Sequence, residues 1–196
     1  MIISIRGTSG SGKSTLVRKV MDLYDMKVPQ FIEGRKQPIA YNLYNDNGGE
    51  LSAPLAVIGH YESACGGCDT IHEFDEVFKL VREAHMEGYN VLFEGVLLYC
   101  EIPRTAALAK EFNTTIIAMT TPIDVCIESI NLRRSTKSVL AEPVDPANTI
   151  TKFNGTITTM KRLEAEGVPV NWCSREQAFS LILEKLNLNP ALALLQ

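Results

Sequence analysis

Short apolar segments alternate along this chain with longer segments of helical periodicity. Residues 2–6 (IISIR) are apolar and β-branched, which is typical of a buried strand. Residues 70–88 instead space their apolar side chains three or four apart, which predicts a helix that ends near Gly88. The same patterns predict strands at 91–94, 115–120 and 168–172, and helices at 13–24, 103–112, 122–134, 149–166 and 174–187. This alternation predicts an α/β fold, in which a parallel sheet is covered by helices on both faces.

One part of the chain predicts strands without a helix between them. Residues 28–33 (VPQFIE) predict a short second strand. Residues 39–44 and 55–60 flank the segment 45–49 (NDNGG), which is a turn signal. We therefore expect the two flanking segments to form a β-hairpin inserted into the alternating pattern.

Composition narrows the class of protein. The chain has 196 residues, 45% of them hydrophobic and 21% charged, which fits one compact domain over residues 1–196. The net charge of −4 argues against a protein that coats nucleic acid nonspecifically, although it allows a local basic groove. Five cysteines, without a secretion signal or a long apolar run, predict a reduced cytoplasmic protein that does not enter a membrane.

A strict phosphate-binding pattern lies between the first predicted strand and the first helix. Residues 7–14 (GTSGSGKS) match G-x-x-x-x-G-K-[ST] at every fixed position. The glycines let the backbone approach a ligand closely, and the N–H groups at the start of the helix would face phosphates. We expect Lys13 to reach the β- and γ-phosphates of ATP and Ser14 to contact Mg²⁺. The expected ATP-binding residues are Gly7, Thr8, Ser9, Gly10, Ser11, Gly12, Lys13, Ser14 and Thr15.

The position of this loop, the chain length and the order of elements resemble P-loop kinases of the nucleoside and nucleotide kinase group. The resemblance covers nearly the whole chain. It implies a three-layer sandwich around a five-stranded parallel sheet, often in the order 2-3-1-4-5, with ATP and Mg²⁺ as cofactors. It also implies an acceptor-binding region at about residues 30–72 and an arginine-bearing lid at about residues 133–152. The segments HYESACGGCDTI, EGRKQP and VLFEG further resemble phage-encoded P-loop proteins described as kinase-like.

An acidic residue ends the predicted strand at 91–94. Glu94 occupies the place of a Walker B acid, with Glu in place of Asp. Because ligands of such sheets bind beyond the carboxyl ends of the strands, we expect Glu94 to lie beside the P-loop. There it would hold a Mg²⁺-bound water or accept the proton of the acceptor hydroxyl. The alternative is a solvated acid in a turn.

Charged residues elsewhere acquire candidate roles from the resemblance. The second strand of the resembled kinases often ends in an acid with an arginine just after it, and Glu33 and Arg35 match that place. Arg35 would bind an acceptor phosphate, although an ordinary exposed turn is equally compatible. In the lid, Arg133 or Arg134 would neutralise the phosphoryl group in transfer. The alternative is that cations at this helix end complement the helix dipole.

The segment 60–71 (HYESACGGCDTI) leaves several interpretations open. Its cysteines, Cys65 and Cys68, have the spacing of half a zinc site or of a redox pair, but neither a second pair nor a redox fold accompanies them. Position favours an acceptor-binding loop in which His60, Tyr61 and Glu62 hydrogen-bond to or stack on a base. Asp69 would cap the next helix or act as the general base. The remaining alternative is a tight turn with buried cysteines.

These residues together predict an ATP-dependent kinase. The expected acceptor is a nucleoside, a nucleoside monophosphate or a hydroxymethylated pyrimidine in DNA. The alternatives are a regulatory ATPase and a non-catalytic nucleotide-binding module, whereas a GTPase would need an Asn-Lys-x-Asp motif that the sequence lacks. The expected partners are therefore a nucleotide-like small molecule or modified DNA, and the oligomeric state is open, with a homodimer among the alternatives.

Overall fold

A computed structural model of the chain describes residues 1–45, 53–63, 66–95, 100–138 and 142–188. Its centre is one sheet of seven strands in the order β2-β3-β4-β5-β1-β6-β7. In chain order the strands are β1 (Ile2–Arg6), β2 (Met26–Gln30), β3 (Ala40–Tyr44), β4 (Leu55–Ile58), β5 (Asn90–Glu94), β6 (Thr114–Met119) and β7 (Val170–Cys173). Because β1 pairs with β5 on one side and β6 on the other, the loop after β1 emerges near the middle of the sheet.

Helices cover both faces of this sheet, as the alternating pattern predicts. They are α1 (Lys13–Met21), α2 (Phe74–Met86), α3 (Ile102–Glu111), α4 (Ile123–Lys137), α5 (Pro146–Ala165) and α6 (Arg175–Lys185). The pleat of β1 separates the two layers, since its successive side chains point to opposite faces. Ile3 and Ile5 pack in the core under α1 and α6, whereas Ile2 packs in the core under α2 and α3.

The expected five-stranded, all-parallel sheet is wrong, because the sheet is mixed and has seven strands. β2 pairs antiparallel with β3, and β3 pairs antiparallel with β4 in the predicted hairpin. The remaining pairs are parallel, and β4-β5-β1-β6-β7 follow the order 2-3-1-4-5 when counted alone. The added strand β2 is an edge strand, where Pro29 is tolerated because it has no N–H to donate to a further strand.

The boundaries of three predicted elements also shift. The second strand covers Met26–Gln30, so Glu33 and Arg35 follow it in a turn and do not belong to its end. Helix α4 continues to Lys137, three residues beyond its predicted end. Helix α5 begins at Pro146, and Asp145 caps it by accepting a hydrogen bond from Ala147 N at 2.9 Å.

Some earlier predictions concern residues outside the described ranges. Cys65, residues 46–49 of the predicted turn and residues 139–141 of the predicted lid are among them. Within the described ranges, no helix has both the length and the apolar character needed to cross a bilayer.

Candidate active site

The P-loop joins the central strand β1 to the start of α1. Gly12 lies at the N-cap of α1 with φ of 95°, a conformation that glycine adopts without strain. A Cβ at this position would lie 2.6 Å from Arg175 Nε, so the site also lacks room for a side chain. Among the described residues no side chain caps the first turn of α1, so its N–H groups are available to bind an anion.

The side chain of Lys13 is buried beneath this loop. Its ammonium group donates hydrogen bonds to Gly7 O at 2.8 Å and to Thr8 O at 3.0 Å. Burial lowers the pKa of Lys13, and the nearby Glu94 carboxylate opposes that change. The buried hydroxyls of Thr8 and Ser11 have no hydrogen-bond partner among the described residues. The loop thus combines a fixed cation with polar atoms that a bound phosphate would satisfy.

Glu94 lies beside the P-loop, as its place at the end of a strand predicts. It is the last residue of β5 and pairs in register with Ile5 of β1. Its Oε1 accepts a hydrogen bond of 2.6 Å from Ser14 Oγ. Burial raises the pKa of Glu94, and Lys13 and the Ser14 hydrogen bond partly oppose the increase. A hydroxyl and a carboxylate held together in this way form the oxygen pair that Mg²⁺ prefers.

The segment after β4 folds back over the end of β5. His60 and Gly67 form an isolated antiparallel bridge, in which Gly67 N donates to His60 O at 2.8 Å. Gly67 has φ of 82°, and a Cβ there would lie 2.5 Å from Glu94 Oε1. The backbone of this loop therefore rests directly against Glu94. The 3₁₀ turn that follows, Cys68–Thr70, carries Asp69 and Thr70 to the edge of a cavity beside the P-loop.

These elements enclose a cavity of about 430 Å³. Its walls hold two carboxylates, Asp69 and Glu94, and three arginines. Arg18 comes from α1, Arg133 from α4 and Arg175 from α6. The remaining lining residues are Ser9, Gly10, Gly12, Lys13, Ser14, Thr15, Gly66, Thr70 and Ser129. The structure thus brings most of the predicted ATP-binding residues together with Glu94, Asp69 and Arg133.

Other predicted site residues lie outside this lining. Glu33 is exposed in the turn after β2, and Arg134 is exposed on α4. Arg35 donates to Thr70 O at 3.1 Å and to Thr70 Oγ1 at 2.9 Å, so it supports the turn that carries Asp69. His60 is buried, and its Nδ1 has no hydrogen-bond partner among the described residues. Tyr61 and Glu62 line a second cavity that adjoins the first at Arg18.

Sequence reasoning did not single out two of the three arginines. Arg18 follows Ser14 by four residues in α1, and its Nε donates to Tyr61 O at 3.0 Å. The helical spacing of four places both side chains on one face, which is a usable signal. Arg175 begins α6 just beyond β7 and donates to Ser11 O at 3.0 Å and Gly10 O at 3.2 Å. Its place at the carboxyl end of a parallel strand is also a signal for this site.

Cys68 bears on the open interpretations of segment 60–71. The residue is buried, and its Sγ donates to Ile58 O at 3.5 Å. Burial, followed by the charges of Glu94 and Asp69, raises the pKa of Cys68 well above its ordinary value. A protonated thiol is neither a good nucleophile nor a metal ligand. The local environment therefore favours the interpretation in which Cys68 packs as a small apolar side chain.

Comparison with known proteins decides the family. The chain is 45% identical to the 5-hmdU DNA kinase of Pseudomonas phage PaMx11 over 186 residues, which are 94% of this chain and 96% of that relative. The chain belongs to the 5-hmdU DNA kinase family. It is therefore a kinase, and the predicted phosphotransferase activity is confirmed. No family model matches the chain.

A solved structure also aligns with most of the chain. The deoxyadenosine kinase of M. mycoides with bound dATP gives a TM-score of 0.49 at 16% sequence identity. The similarity covers 95% of this chain and 99% of that one.

Gly67 provides a test of how the loop holds Glu94. We expect Gly67→Ala to lower the free energy of unfolding by about 1–3 kcal/mol, because the Cβ strains a positive φ and displaces the Glu94 carboxylate. Kinase activity should fall with it. Gly88→Ala is the matched control, since Gly88 has φ of 96° and nothing within 4 Å of its Cβ position. Chemical denaturation and activity assays check both variants, and equal activity losses in the two would contradict the contact with Glu94.

The raised pKa of Glu94 gives a pH-dependent prediction. The folded protein holds this proton more tightly than the unfolded chain, so its stability decreases as pH rises from the ordinary carboxyl value of 4.5 through the raised pKa. The Glu94→Gln variant lacks this titration. We expect its unfolding free energy, relative to the unmodified protein, to increase between pH 4.5 and pH 7. Urea denaturation across this pH range measures the difference, with the exposed Glu87→Gln as the control for loss of one carboxylate.

Proposed function

We propose that this kinase transfers the γ-phosphoryl group of ATP to the 5-hydroxymethyl group of deoxyuridine in DNA. The observation that carries the proposal is a single cavity where Lys13 and Ser14 of the P-loop meet two carboxylates. One of these, Glu94, is buried against Ser14, and the other, Asp69, is exposed toward the solvent side. The acceptor follows from the relative named above, which is 45% identical over nearly the full length of both chains.

The donor half of the cavity fits ATP and Mg²⁺. The uncapped N–H groups of α1 and the Lys13 ammonium suit the phosphates. Ser14 and Glu94 would hold Mg²⁺, because a hydroxyl and a carboxylate oxygen 2.6 Å apart already meet beside the P-loop. When bound, Mg²⁺–ATP supplies the phosphoryl group and neutralises part of its charge.

The acceptor half of the cavity is built by the loop that carries Asp69. Glu94 Oε1 already accepts a hydrogen bond from the Ser14 hydroxyl. We therefore propose that a carboxylate oxygen of Asp69 accepts the proton of the acceptor hydroxyl. Arg35 holds the neighbouring Thr70 through two hydrogen bonds and thereby positions this turn. Glu94 is the alternative base, since it lines the same cavity.

Three arginines surround the transferring phosphoryl group in this proposal. Arg133 lines the cavity from α4, where the lid begins, and is the candidate that neutralises charge on the group in transfer. Arg134 follows Arg133 in the sequence, but an α-helix turns by about 100° per residue. The side chain of Arg134 therefore points in another direction and is exposed. Arg18 and Arg175 complete the positive walls on either side of the P-loop.

The depth of the reacting groups has a consequence for a DNA acceptor. Lys13 and Glu94 are almost fully buried at the base of the cavity, with 5% and 1% of their surfaces exposed. A base that remains stacked in a duplex does not reach such groups. The proposal therefore includes an acceptor base that leaves the stack, or a single-stranded substrate.

Acceptor-stimulated ATP consumption tests the proposal. We expect ADP release to increase strongly when DNA containing 5-hydroxymethyldeoxyuridine is added, and to remain at its background rate with the same DNA containing thymidine. The two DNAs differ only in the hydroxyl that receives the phosphoryl group. Equal ADP release with both DNAs, or stimulation only by an unrelated nucleoside, would refute the proposed acceptor.

A further inference from the structure

A second cavity lies next to the first, on the other side of Arg18. Its volume is about 400 Å³, and it is enclosed by α1, β2, β3 and the residues that follow β4. Arg18 lines both cavities. The proposed chemistry uses only the first cavity, so the second has no assigned role.

Arg18 forms a positive partition between the two cavities. Its guanidinium group donates to the backbone oxygens of Tyr61 and Ser63. In the part of the chain that the structure describes, Arg18 makes no ion pair with a carboxylate. Its charge is therefore held in place by two carbonyls, which suits a phosphate that lies between the cavities.

One wall of the second cavity is aromatic. The rings of Tyr41 and Tyr61 meet edge to face, with centroids 6.2 Å apart. Both side chains are buried apart from the part that faces the cavity, and Tyr61 N donates to Tyr41 OH at 3.3 Å. Pro29 lies directly across from Tyr41 in the antiparallel pair β2–β3 and adds a second flat apolar surface. Surfaces of this kind bind the face or edge of a nucleobase.

The charges at the rim complement the other parts of a nucleotide. Lys27 lies on the same strand face as Pro29, and its ammonium group forms an ion pair with Asp22, which lines the cavity as well. Glu62 is exposed at the rim and offers a carboxylate that accepts hydrogen bonds from base N–H groups. An aromatic wall, the Arg18 cation and polar groups at the rim form a site for a nucleotide rather than for a purely apolar ligand.

We propose that the second cavity binds the nucleotide adjacent to the reacting one in the same DNA strand. Neighbouring nucleotides share one phosphate, and the two cavities share one arginine, so a strand that crosses Arg18 fills both. This proposal rests on the proposed function. It makes the enzyme select a polynucleotide over a free nucleoside and makes the rate depend on the identity of one flanking base.

Oligonucleotides with an abasic site on either side of a single 5-hydroxymethyldeoxyuridine test the proposal. For the unmodified protein, an abasic site on one side should lower kcat/KM about tenfold, because stacking of one base is lost, and an abasic site on the other side should have little effect. Pro29→Glu should lower kcat/KM for the intact oligonucleotide by a similar factor. In this variant the abasic site should cause little further loss, since both changes remove the same interaction.

Val28→Glu is the matched control. Val28 neighbours Pro29 on β2, is 38% exposed and does not line the cavity. The Val28→Glu substitution adds the same charge on the opposite face of β2. The kcat/KM values for the intact and the abasic oligonucleotide should therefore equal those of the unmodified protein. Thermal melting by circular dichroism establishes that both variants fold.

The possible failures are distinguishable. Two outcomes would show that the second cavity is not this subsite. One is equal phosphate transfer by the unmodified protein to intact and abasic-flanked oligonucleotides, and the other is independent losses of kcat/KM from Pro29→Glu and from the abasic site. The proposed function stands in either case. If no oligonucleotide containing 5-hydroxymethyldeoxyuridine is phosphorylated, the proposed function fails, and the subsite fails with it.

Discussion

Lys13→Ala should lower kcat for phosphoryl transfer about 10³-fold while the protein remains folded. The ammonium group of Lys13 is buried beside the P-loop, where two backbone oxygens accept its hydrogen bonds. The nearby Glu94 carboxylate favours its charged form. The attraction between this ammonium group and a phosphate is far stronger in such a dry site than in water, and no other lysine lines the cavity among the described residues. Phosphate transfer from labelled ATP measures the loss.

The control for this substitution lies on the same helix. Lys19 is exposed on α1 and does not line either cavity, so Lys19→Ala should retain full activity. Thermal melting of both variants shows whether the fold is kept. Full turnover by a folded Lys13→Ala protein would contradict the assignment of the P-loop as the site of the donor phosphates.

Asp69→Asn should lower kcat by about 10²- to 10⁴-fold and leave the KM for ATP nearly unchanged. The amide keeps the shape of the carboxylate, but it does not accept a proton from the acceptor hydroxyl. The substitution leaves the donor side intact, because Lys13, Ser14 and Glu94 keep their own hydrogen bonds. Steady-state kinetics with varied ATP and varied DNA separate the two effects.

Glu73→Gln provides the comparison for Asp69→Asn. Glu73 is an exposed acid near the start of α2 and lines neither cavity, so its variant should behave as the unmodified protein does. If Asp69→Asn retains its kcat and Glu94→Gln loses it, the proton acceptor is Glu94.

Local sequence signals predict which residues form the P-loop side of the cavity. The P-loop depends on residues adjacent in sequence, and its glycines, lysine and serine have fixed spacing, so one short segment specifies the structure. Glu94 follows from a strand-end rule that applies to any parallel sheet. The hairpin of β3 and β4 likewise follows from a turn signal between two apolar segments.

The edge of the sheet was harder to predict for a physical reason. The side chains of β2 are exposed except for Gln30, so no buried face produces an apolar period, and its boundaries were placed too late in the chain. The sheet has seven strands and not five, because the antiparallel strands β2 and β3 extend one edge of the parallel part. The five strands of the parallel part follow the expected order 2-3-1-4-5.

The acceptor half depends on contacts that sequence spacing does not encode. Arg133 and Arg134 are adjacent in the chain and chemically identical, and only the rotation of α4 places the first against the cavity. Arg35 has the residue type expected for phosphate binding, yet it is engaged by Thr70, which lies 35 positions away. Such pairings follow from the packed fold and not from local pattern.

Direct analysis of the DNA product tests the central claim most directly. DNA containing 5-hydroxymethyldeoxyuridine is incubated with the protein and ATP, digested by a nuclease to nucleoside monophosphates without phosphatase, and analysed by liquid chromatography and mass spectrometry. We expect a phosphate ester on the 5-hydroxymethyl oxygen, present with the unmodified protein and absent with Lys13→Ala. Unmodified 5-hydroxymethyldeoxyuridine as the sole product, or phosphate found only on free nucleosides or strand ends, would contradict the account.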